Sequence, residues 1–582
     1  MRIRKDNSVR ERPVRAGRSR RALLGAVLAL GALAACGEAD RERELADPNE
    51  PGSRIRAMLE GASAPVLAVQ TDTVHFGEQG RSFYAQRGYR PAWTDRKGFL
   101  PRGEVLLRAL RGARADGIDP RRYHAHAVEV LLTRAQREHA QGLPVGDVLG
   151  NVDMVLTEAF VRYANDLVGG TLDPDSSGVS WLIPRSDATD AALLERLLER
   201  DDLEQALDEL RPSVPFYHHL RRALPRYETV VAAGGWLPVS AGERLEQGVR
   251  SPRVLEVRRR LVAEGDPVES ALVADAPDPD LFDASLARAV EHFQERHGID
   301  ADGAVGAETV EAMNVAAEDR LLAVLLNLDR WRWLPRQLGQ RYLLVNVAGF
   351  EMAVMEASEP VLRMNVVVGK EGWNTPVFQD TLEHIVVNPF WNVPPSIIKR
   401  DLIPAMQRDP GYLARNGFEI VRGGGGDSYQ GLAIRQRPGR NNSLGEVKFL
   451  FPNAMNVYLH DTPAKHLFKK SRRAFSSGCI RVEKPRELAE YLLRTATSQP
   501  PGTYERLRAT GREQWVALNE KIPVYILYFT AWADPQGSVA FYSDVYRRDR
   551  ALDEMARGLL RPSPGGAGTL TALADEEETG GP

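Results

Sequence analysis

Apolar residues recur at three- and four-residue spacing through the first half of the chain and in short β-like runs through the second. The clearest stripe is Leu149, Val152, Leu156, Phe160, Tyr163 and Leu167, which predicts a helix over residues 148–167. Gly169-Gly170 and Asp173-Pro174 stop it. Residues 71–240 read as a helical scaffold with no cluster that suggests chemistry. Residues 245–316 form a second helical pattern. There Ser251-Pro252 offers an N-cap and a first-turn proline, and Val254, Val257 and Leu261 a buried face. A further helix carries Leu286, Val290 and Phe293 and ends near Gly298. From residue 320 the period changes. Residues 321–330 are helical, and short β-like runs follow at 342–347, 361–368, 382–387, 447–451, 457–459 and 524–529. The expected fold is multidomain α+β: a helical N-terminal scaffold, a small three-helix module at 245–316, and a β-rich domain at 320–550.

Residues 389–442 interrupt the β-rich domain. They hold Pro389, Pro394, Pro395, Pro404, Pro410 and Pro438, and four consecutive glycines at 423–426. Long insertions of this kind are functional lids or disordered excursions. Trp391, Ile397, Leu402 and Tyr412 argue for order, so the insertion reads as a capping lid hinged at the glycines. Residues 36–70 are polar and turn-rich and read as a tether. Residues 561–582 read as a disordered acidic tail.

The 582 residues carry 76 Lys and Arg against 79 Asp and Glu, a net charge of −3. That balance gives no basic field for a nucleic acid. No apolar run reaches the length of a spanning helix. The first 21 residues hold nine basic side chains and two acids, followed by a 14-residue apolar run, Ala22 to Ala35. Residues 1–35 therefore read as a signal peptide. Leu33-Ala34-Ala35-Cys36 resembles a bacterial lipobox, with Cys36 the lipidated residue of the mature protein. The expected location is periplasmic and lipid-anchored, at the outer membrane more than the inner. Without the leader's net +7 the charge becomes −10.

Two cysteines exclude a disulfide scaffold. With Cys36 acylated, Cys479 has no intramolecular partner, and a lone exported thiol is a liability unless it works. Its surroundings are Arg473-Ala474-Phe475-Ser476-Ser477-Gly478-Cys479-Ile480-Arg481, and Cys479 itself is nineteen residues beyond His460. A thiol gains nucleophilicity by losing its proton to an imidazole. Cys479 is the candidate nucleophile and His460 the candidate base. Tyr458 shares a strand face with His460 and offers its phenol to an oxyanion. Gly478 permits close backbone approach and free N–H groups. Arg481 offers a fork for a carboxylate. Asp461 reads as a turn cap.

These residues resemble the motif of YkuD-type L,D-transpeptidases, with Ser477 where the family usually has His. The wider pattern resembles the large YcbB-type subgroup, in which Ser-Ser-Gly-Cys also occurs. The resemblance rests on residues 327–333 (Asn-Leu-Asp-Arg-Trp-Arg-Trp), Asn388-Pro389 with Trp391, His460-Asp461-Thr462-Pro463 and Phe529-Thr530-Ala531-Trp532. The module at 245–316 resembles a peptidoglycan-binding type 1 domain through Phe293-Gln294, Asp302-Gly303, Gly306 and Thr309. The resemblance implies that Cys479 attacks diaminopimelate in a peptidoglycan tetrapeptide stem, releases D-alanine and forms a thioester. An amine of a second stem resolves it as a 3→3 cross-link. Ser477 and Arg481 would touch the substrate, Trp391 would line its groove, and carbapenems would acylate the thiol. No cofactor or metal is implied.

Three other readings stay open. One is a zinc peptidoglycan hydrolase with His460, His466 and Cys479 as ligands. Another is a wall-binding lipoprotein with an inert catalytic domain. The third is an L,D-carboxypeptidase that uses the same thiol with water as acceptor.

Overall fold

The computed structural model describes residues 47, 49–61, 65–175, 181–185, 189–266, 278–422 and 431–557. The expected leader, Cys36, the glycine hinge and the acidic tail lie outside them. The chain divides into two compact units. The first is Met1–Arg111, Pro120–Tyr163 and Asp190–Glu204; the second is Gly112–Asp119, Ala164–Thr189 and Gln205–Pro582.

The predicted long helix is α1 (Gly146–Gly169), assigned to the first unit through Tyr163, and every residue of its apolar stripe is buried. Asp153 on α1 is fully buried. It accepts from the Tyr84 hydroxyl at 2.6 Å and from the N–H groups of Ala92, Trp93 and Thr94 at 2.9, 2.7 and 2.8 Å. A buried carboxylate satisfied in this way anchors a chain segment rather than a reaction.

The tether reading needs correction for residues 51–70. Pro51–Leu59 is a helix, and Val66–Val69 pairs antiparallel with Asp72–His75. Ile55 and Leu59 are buried, and Arg54 Nε donates to Asn151 Oδ1 at 3.0 Å. Gly150 on α1 admits the Pro51 carbonyl, which a Cβ there would meet at 2.7 Å. The polar composition hid an apolar pair at four-residue spacing behind a first-turn proline.

The second unit contains α2 (Pro215–Ala232), followed by the small module α3 (Arg253–Glu264), α4 (Ala284–Arg296) and α5 (Ala307–Met313). Val254, Val257, Leu261, Leu286, Val290 and Phe293 share one core, as the apolar pattern requires. Helix α3 starts later than expected, with Pro252 in the cap position, while Ser251 Oγ still accepts from the Arg253 N–H at 3.3 Å. Asp283 caps α4 by accepting from the Leu286 N–H at 2.8 Å.

Helix α6 (Ala317–Arg332) carries most of the Asn327–Trp333 run. Its polar residues are structural ties. Asp329 accepts from the N–H groups of Thr171 and Leu172 at 2.8 and 2.7 Å. Asn327 Nδ2 donates to Thr530 Oγ1 at 2.8 Å, and Arg330 pairs with Asp549 at 2.6 Å.

The β-rich domain is built from β1 (Arg341–Asn346), β2 (Glu351–Glu356), β3 (Glu359–Gly369) and β4 (Val377–Val387). The insertion contributes β5 (Trp391–Asn392), β6 (Phe418–Arg422) and β7 (Ala433–Gln436). Then come β8 (Val447–Leu450), β9 (Leu459–His460), β10 (Ala474–Ser476), β11 (Ile480–Val482), β12 (Gln514–Leu527), β13 (Ala531–Ala533) and β14 (Val539–Phe541). The main sheet runs β8-β9-β11-β3-β2-β1-β12-β4, and β8 also pairs with β4, so the path closes on itself. Closure gives every strand of that path two neighbours and one shared interior. Strands β2 and β11 were not anticipated. Met352 and Val354 of β2 alternate inward but Met355 breaks the period, and β11 is only three residues long. The insertion has its own three-stranded sheet, β5-β7-β6, over a small core of Val393, Ile398, Leu402 and Ile434.

Candidate active site

Parallel pairing of β9 with β11 sets the site. Leu459 lies opposite Ile480 and His460 opposite Arg481, and the Ile480 N–H donates to the Tyr458 carbonyl at 3.1 Å. Cys479 is thereby a cross-strand neighbour of Tyr458. The turn before it is pinned from two sides. Ser476 Oγ donates to the Cys479 carbonyl at 2.5 Å and accepts from the Gly478 N–H at 3.1 Å. Thr375 Oγ1 donates to the Gly478 carbonyl at 2.8 Å. Gly478 has φ +110°, a backbone region that other residues rarely enter. Its N–H, offered above to an oxyanion, is instead engaged by Ser476. The sequence pattern alone assigns Ser476 no role; its signal is the habit of a serine in a small-residue turn to bond its own backbone.

The Cys479 thiol points at the Asn456 carbonyl, with Sγ 3.6 Å from the oxygen. Asn456 has φ +54° in a loop that Asn453 holds through bonds to Phe451 and Val457. The Tyr458 phenol lies close enough to the thiol and to the Trp391 side chain for them to shift its pKa. Burial pushes the thiol pKa up, while hydrogen bonds from Tyr458 and the charge of Arg481 pull against it. Burial holds the Tyr458 phenol protonated, as a donor, and any negative charge on Cys479 would hold it further.

His460 is buried, and its Nδ1–H donates to the Asp461 carbonyl at 2.5 Å. That bond fixes the tautomer and leaves Nε2 as a lone-pair base. Burial and the Arg481 charge push the imidazole pKa down to about 3. The Asp461 carboxylate caps, as its position suggested: it accepts from the N–H groups of Glu446 and Thr462 at 2.9 and 2.6 Å and pairs with Lys465 at 2.5 Å. The Tyr458 and His460 ring centroids are 5.6 Å apart, so the phenol neighbours both base and thiol. Among the described residues no hydrogen bond joins imidazole and thiol directly. The resting pair is a neutral thiol and a neutral imidazole.

Arg481 is partly buried in β11, and its Nε has no hydrogen-bond partner among the described residues. Trp391 stands on β5, paired with Gln436 of β7. Ser477 is met by Arg400, a residue without a sequence signal: its Nη2 donates to Ser477 Oγ at 3.4 Å and pairs with Asp401 at 2.6 Å. The same guanidinium lies 4.8 Å from the Trp373 ring centroid. His466 is exposed on the short helix Lys465–Lys469. Among the described residues no three His, Cys, Asp or Glu side chains are grouped to hold a metal.

A closed β-rich domain with a thiol, an imidazole and a phenol gathered at two paired strands defines the class of domain. Residues 340–526 match the YkuD family, described as the L,D-transpeptidase catalytic domain. Residues 78–224 match a "Scaffold domain" and residues 250–313 a "Putative peptidoglycan binding domain". The chain thus carries a YkuD L,D-transpeptidase catalytic domain together with a peptidoglycan-binding type 1 domain. A "Putative L,D-transpeptidase" of Haemophilus influenzae is 32% identical over 242 residues, which is 39% of this chain and 48% of that protein. The match spans about half the length of that relative.

Among solved structures, the L,D-transpeptidase of Xylanimonas cellulosilytica (its residues 123–326) is 16% identical, covering 50% of this chain and 99% of that one. The Ldtfm–avibactam carbamoyl enzyme is 14% identical, covering 33% and 51%. Both have a TM-score of 0.16, too low to bear on this architecture.

Proposed function

We propose that this protein is an L,D-transpeptidase that forms 3→3 cross-links in peptidoglycan through a thioester on Cys479. The observation that carries the reading is the gathering of Cys479, Tyr458 and His460 by the β9–β11 pairing inside the matched domain. Nε2 of His460 takes the thiol proton as Sγ attacks the carbonyl at the L-centre of diaminopimelate. The oxyanion is held by the Tyr458 hydroxyl and the Cys479 N–H. The C–N bond to D-alanine breaks, and the leaving amine takes the proton from His460. A side-chain amine of a second stem then attacks the thioester and gives its proton to His460, which returns it to the departing thiolate. Loss of one oxyanion donor costs roughly 100- to 1,000-fold in rate elsewhere.

Arg481, with its orphan Nε beside the thiol, is assigned to a substrate carboxylate. Ser477 and Trp391 are assigned to the walls of the donor groove. The insertion is assigned the role of excluding water, which would otherwise hydrolyse the thioester. Export with a lipid on Cys36 is part of the same proposal and is supported by the lipobox-like Leu33–Cys36 run. The test is incubation with purified tetrapeptide muropeptides, followed by mass analysis. Cross-linked dimer with free D-alanine is expected, lost in Cys479→Ala. Tripeptide without dimer would instead mark a carboxypeptidase.

A further inference from the structure

Two cavities of about 260 and 280 Å³ lie in the second unit, away from Cys479. They share Phe216 of α2, Glu351 of β2, Arg363 of β3 and Trp532 of β13, so they form one trough. One end reaches Asn365, Glu483 and Lys484; the other reaches the turn at Ser358–Pro360 and His292 of the small module. From Pro360 to Asn365, β3 runs about 17 Å at ~3.3 Å per residue.

The lining is specific in kind. Phe216 and Trp532 pack with centroids 4.6 Å apart, and Trp532 keeps part of its ring in the open. Around this aromatic floor stand side chains of both signs and an amide. The Glu351 carboxylate is held by the Tyr542 hydroxyl at 3.0 Å. The Asn365 N–H donates to Glu483 at 3.1 Å, and Lys484 Nζ donates to the Arg363 carbonyl at 3.0 Å. The Arg363 side chain is exposed. Aliphatic side chains such as Leu344, Met352 and Met364 extend the floor; a simple anion would call for a basic lining, and a lipid for an apolar one without charges of both signs at its rim. An aromatic face rimmed by guanidinium, carboxylate and amide groups suits the C–H faces and hydroxyls of a saccharide.

We infer that this trough binds the glycan strand of peptidoglycan, an extended chain of N-acetylated sugars. The inference rests on the proposed wall substrate. It also gives the small module a role in the trough, because Arg296 of α4 donates to the Val539 carbonyl of β14 at 2.8 Å and so fixes one wall. Strand β11 leads from the thiol to Glu483, four residues or about 13 Å of extended chain. A sugar at that end would carry its stem peptide within reach of Cys479.

The test is calorimetric titration of the full chain with chitotetraose, an N-acetylglucosamine tetramer without stem peptide. Carbapenem acylation of Cys479 is followed in parallel. Binding is expected to the unaltered chain and to weaken about tenfold or more in Arg363→Ala, the usual worth of a charge-assisted hydrogen bond. Trp532→Ala should abolish it; because Trp532 also packs on Trp331, the exposed Arg363 decides if that variant misfolds. Acylation should be unchanged in Arg363→Ala. No binding, or binding equal in both chains, would overturn the trough with the thiol chemistry intact. Binding without acylation would keep the trough and overturn the catalytic reading.

Discussion

His460 gives its Nδ1 proton to the Asp461 carbonyl, so the nitrogen left for chemistry is Nε2. With the imidazole pKa near 3 and the thiol pKa raised, the free enzyme holds neither charge at neutral pH. Proton transfer must then accompany attack, as general-base catalysis. The acylation rate by a carbapenem should be flat from about pH 5 to about pH 8, since neither partner titrates there. An ascending limb centred near pH 6.5 would show an imidazole at its ordinary value and overturn this picture. His460→Gln should slow acylation by about 100- to 10,000-fold.

The same depressed pKa has a stability consequence. In the unfolded chain His460 takes up a proton near pH 6.5, while in the folded protein it resists down to about pH 3. The folded state therefore binds fewer protons between those values. Its contribution is fully present above about pH 6.5 and is lost as pH falls toward 3. Melting temperature measured from pH 7 to pH 4 should fall less steeply in His460→Gln than in the unaltered protein. Equal slopes would place the acid sensitivity elsewhere.

Ser476 shows why the turn works. One hydroxyl donates to the Cys479 carbonyl and accepts from the Gly478 N–H, in a buried position. Ser476→Ala leaves both backbone groups short of a partner, at a cost of about 1–3 kcal/mol. The expected signature is a slower acylation with the thiol still titratable by a small disulfide reagent. Ser476→Cys should rescue only in part, because sulfur is a weaker partner.

The candidate site was legible because its residues lie close in sequence and belong to types with few other uses. His460 lies on β9, and Tyr458 and Cys479 come immediately before the two strands, β9 and β11, whose pairing brings them together. The helical stripe around Leu156 and the module around Phe293 were legible from period alone. What was hidden depended on partners far along the chain. Nothing near Arg400 announces that it meets Ser477, and nothing in Gly478 says that its N–H is already engaged by Ser476. Strand β11 is too short to show alternation, and the closure of β8 on β4 joins residues some 60 positions apart. The Asn327–Trp333 run is distinctive as a pattern, but its physical content is ties to Thr171, Thr530 and Asp549, all far from it along the chain.

Arg400 links the insertion to the catalytic turn through Ser477 while its guanidinium rests over Trp373. If the insertion shields the thioester from water, loosening this contact should alter the fate of the acyl-enzyme more than its formation. Arg400→Ala is expected to leave the carbapenem acylation rate within severalfold while raising the ratio of hydrolysed to cross-linked product. Mass analysis of muropeptide products gives that ratio. An unchanged ratio would mean that the contact does not hold the shield.

The helix Pro51–Leu59 gives the last prediction, because it packs against α1 where the sequence reads as a tether. Ile55 is wholly buried, and Arg54 is tied to Asn151 on α1. A chain shortened to begin at residue 71 loses this helix, the strand Val66–Val69 and the cover they provide. It should melt well below a chain beginning at residue 47. Ile55→Ala tests the same packing without truncation, at an expected cost of about 2–5 kcal/mol for a buried isoleucine. Catalysis need not change with it, since the helix belongs to the first unit and Cys479 to the second. Equal melting of all three chains would return residues 51–70 to the status of a tether.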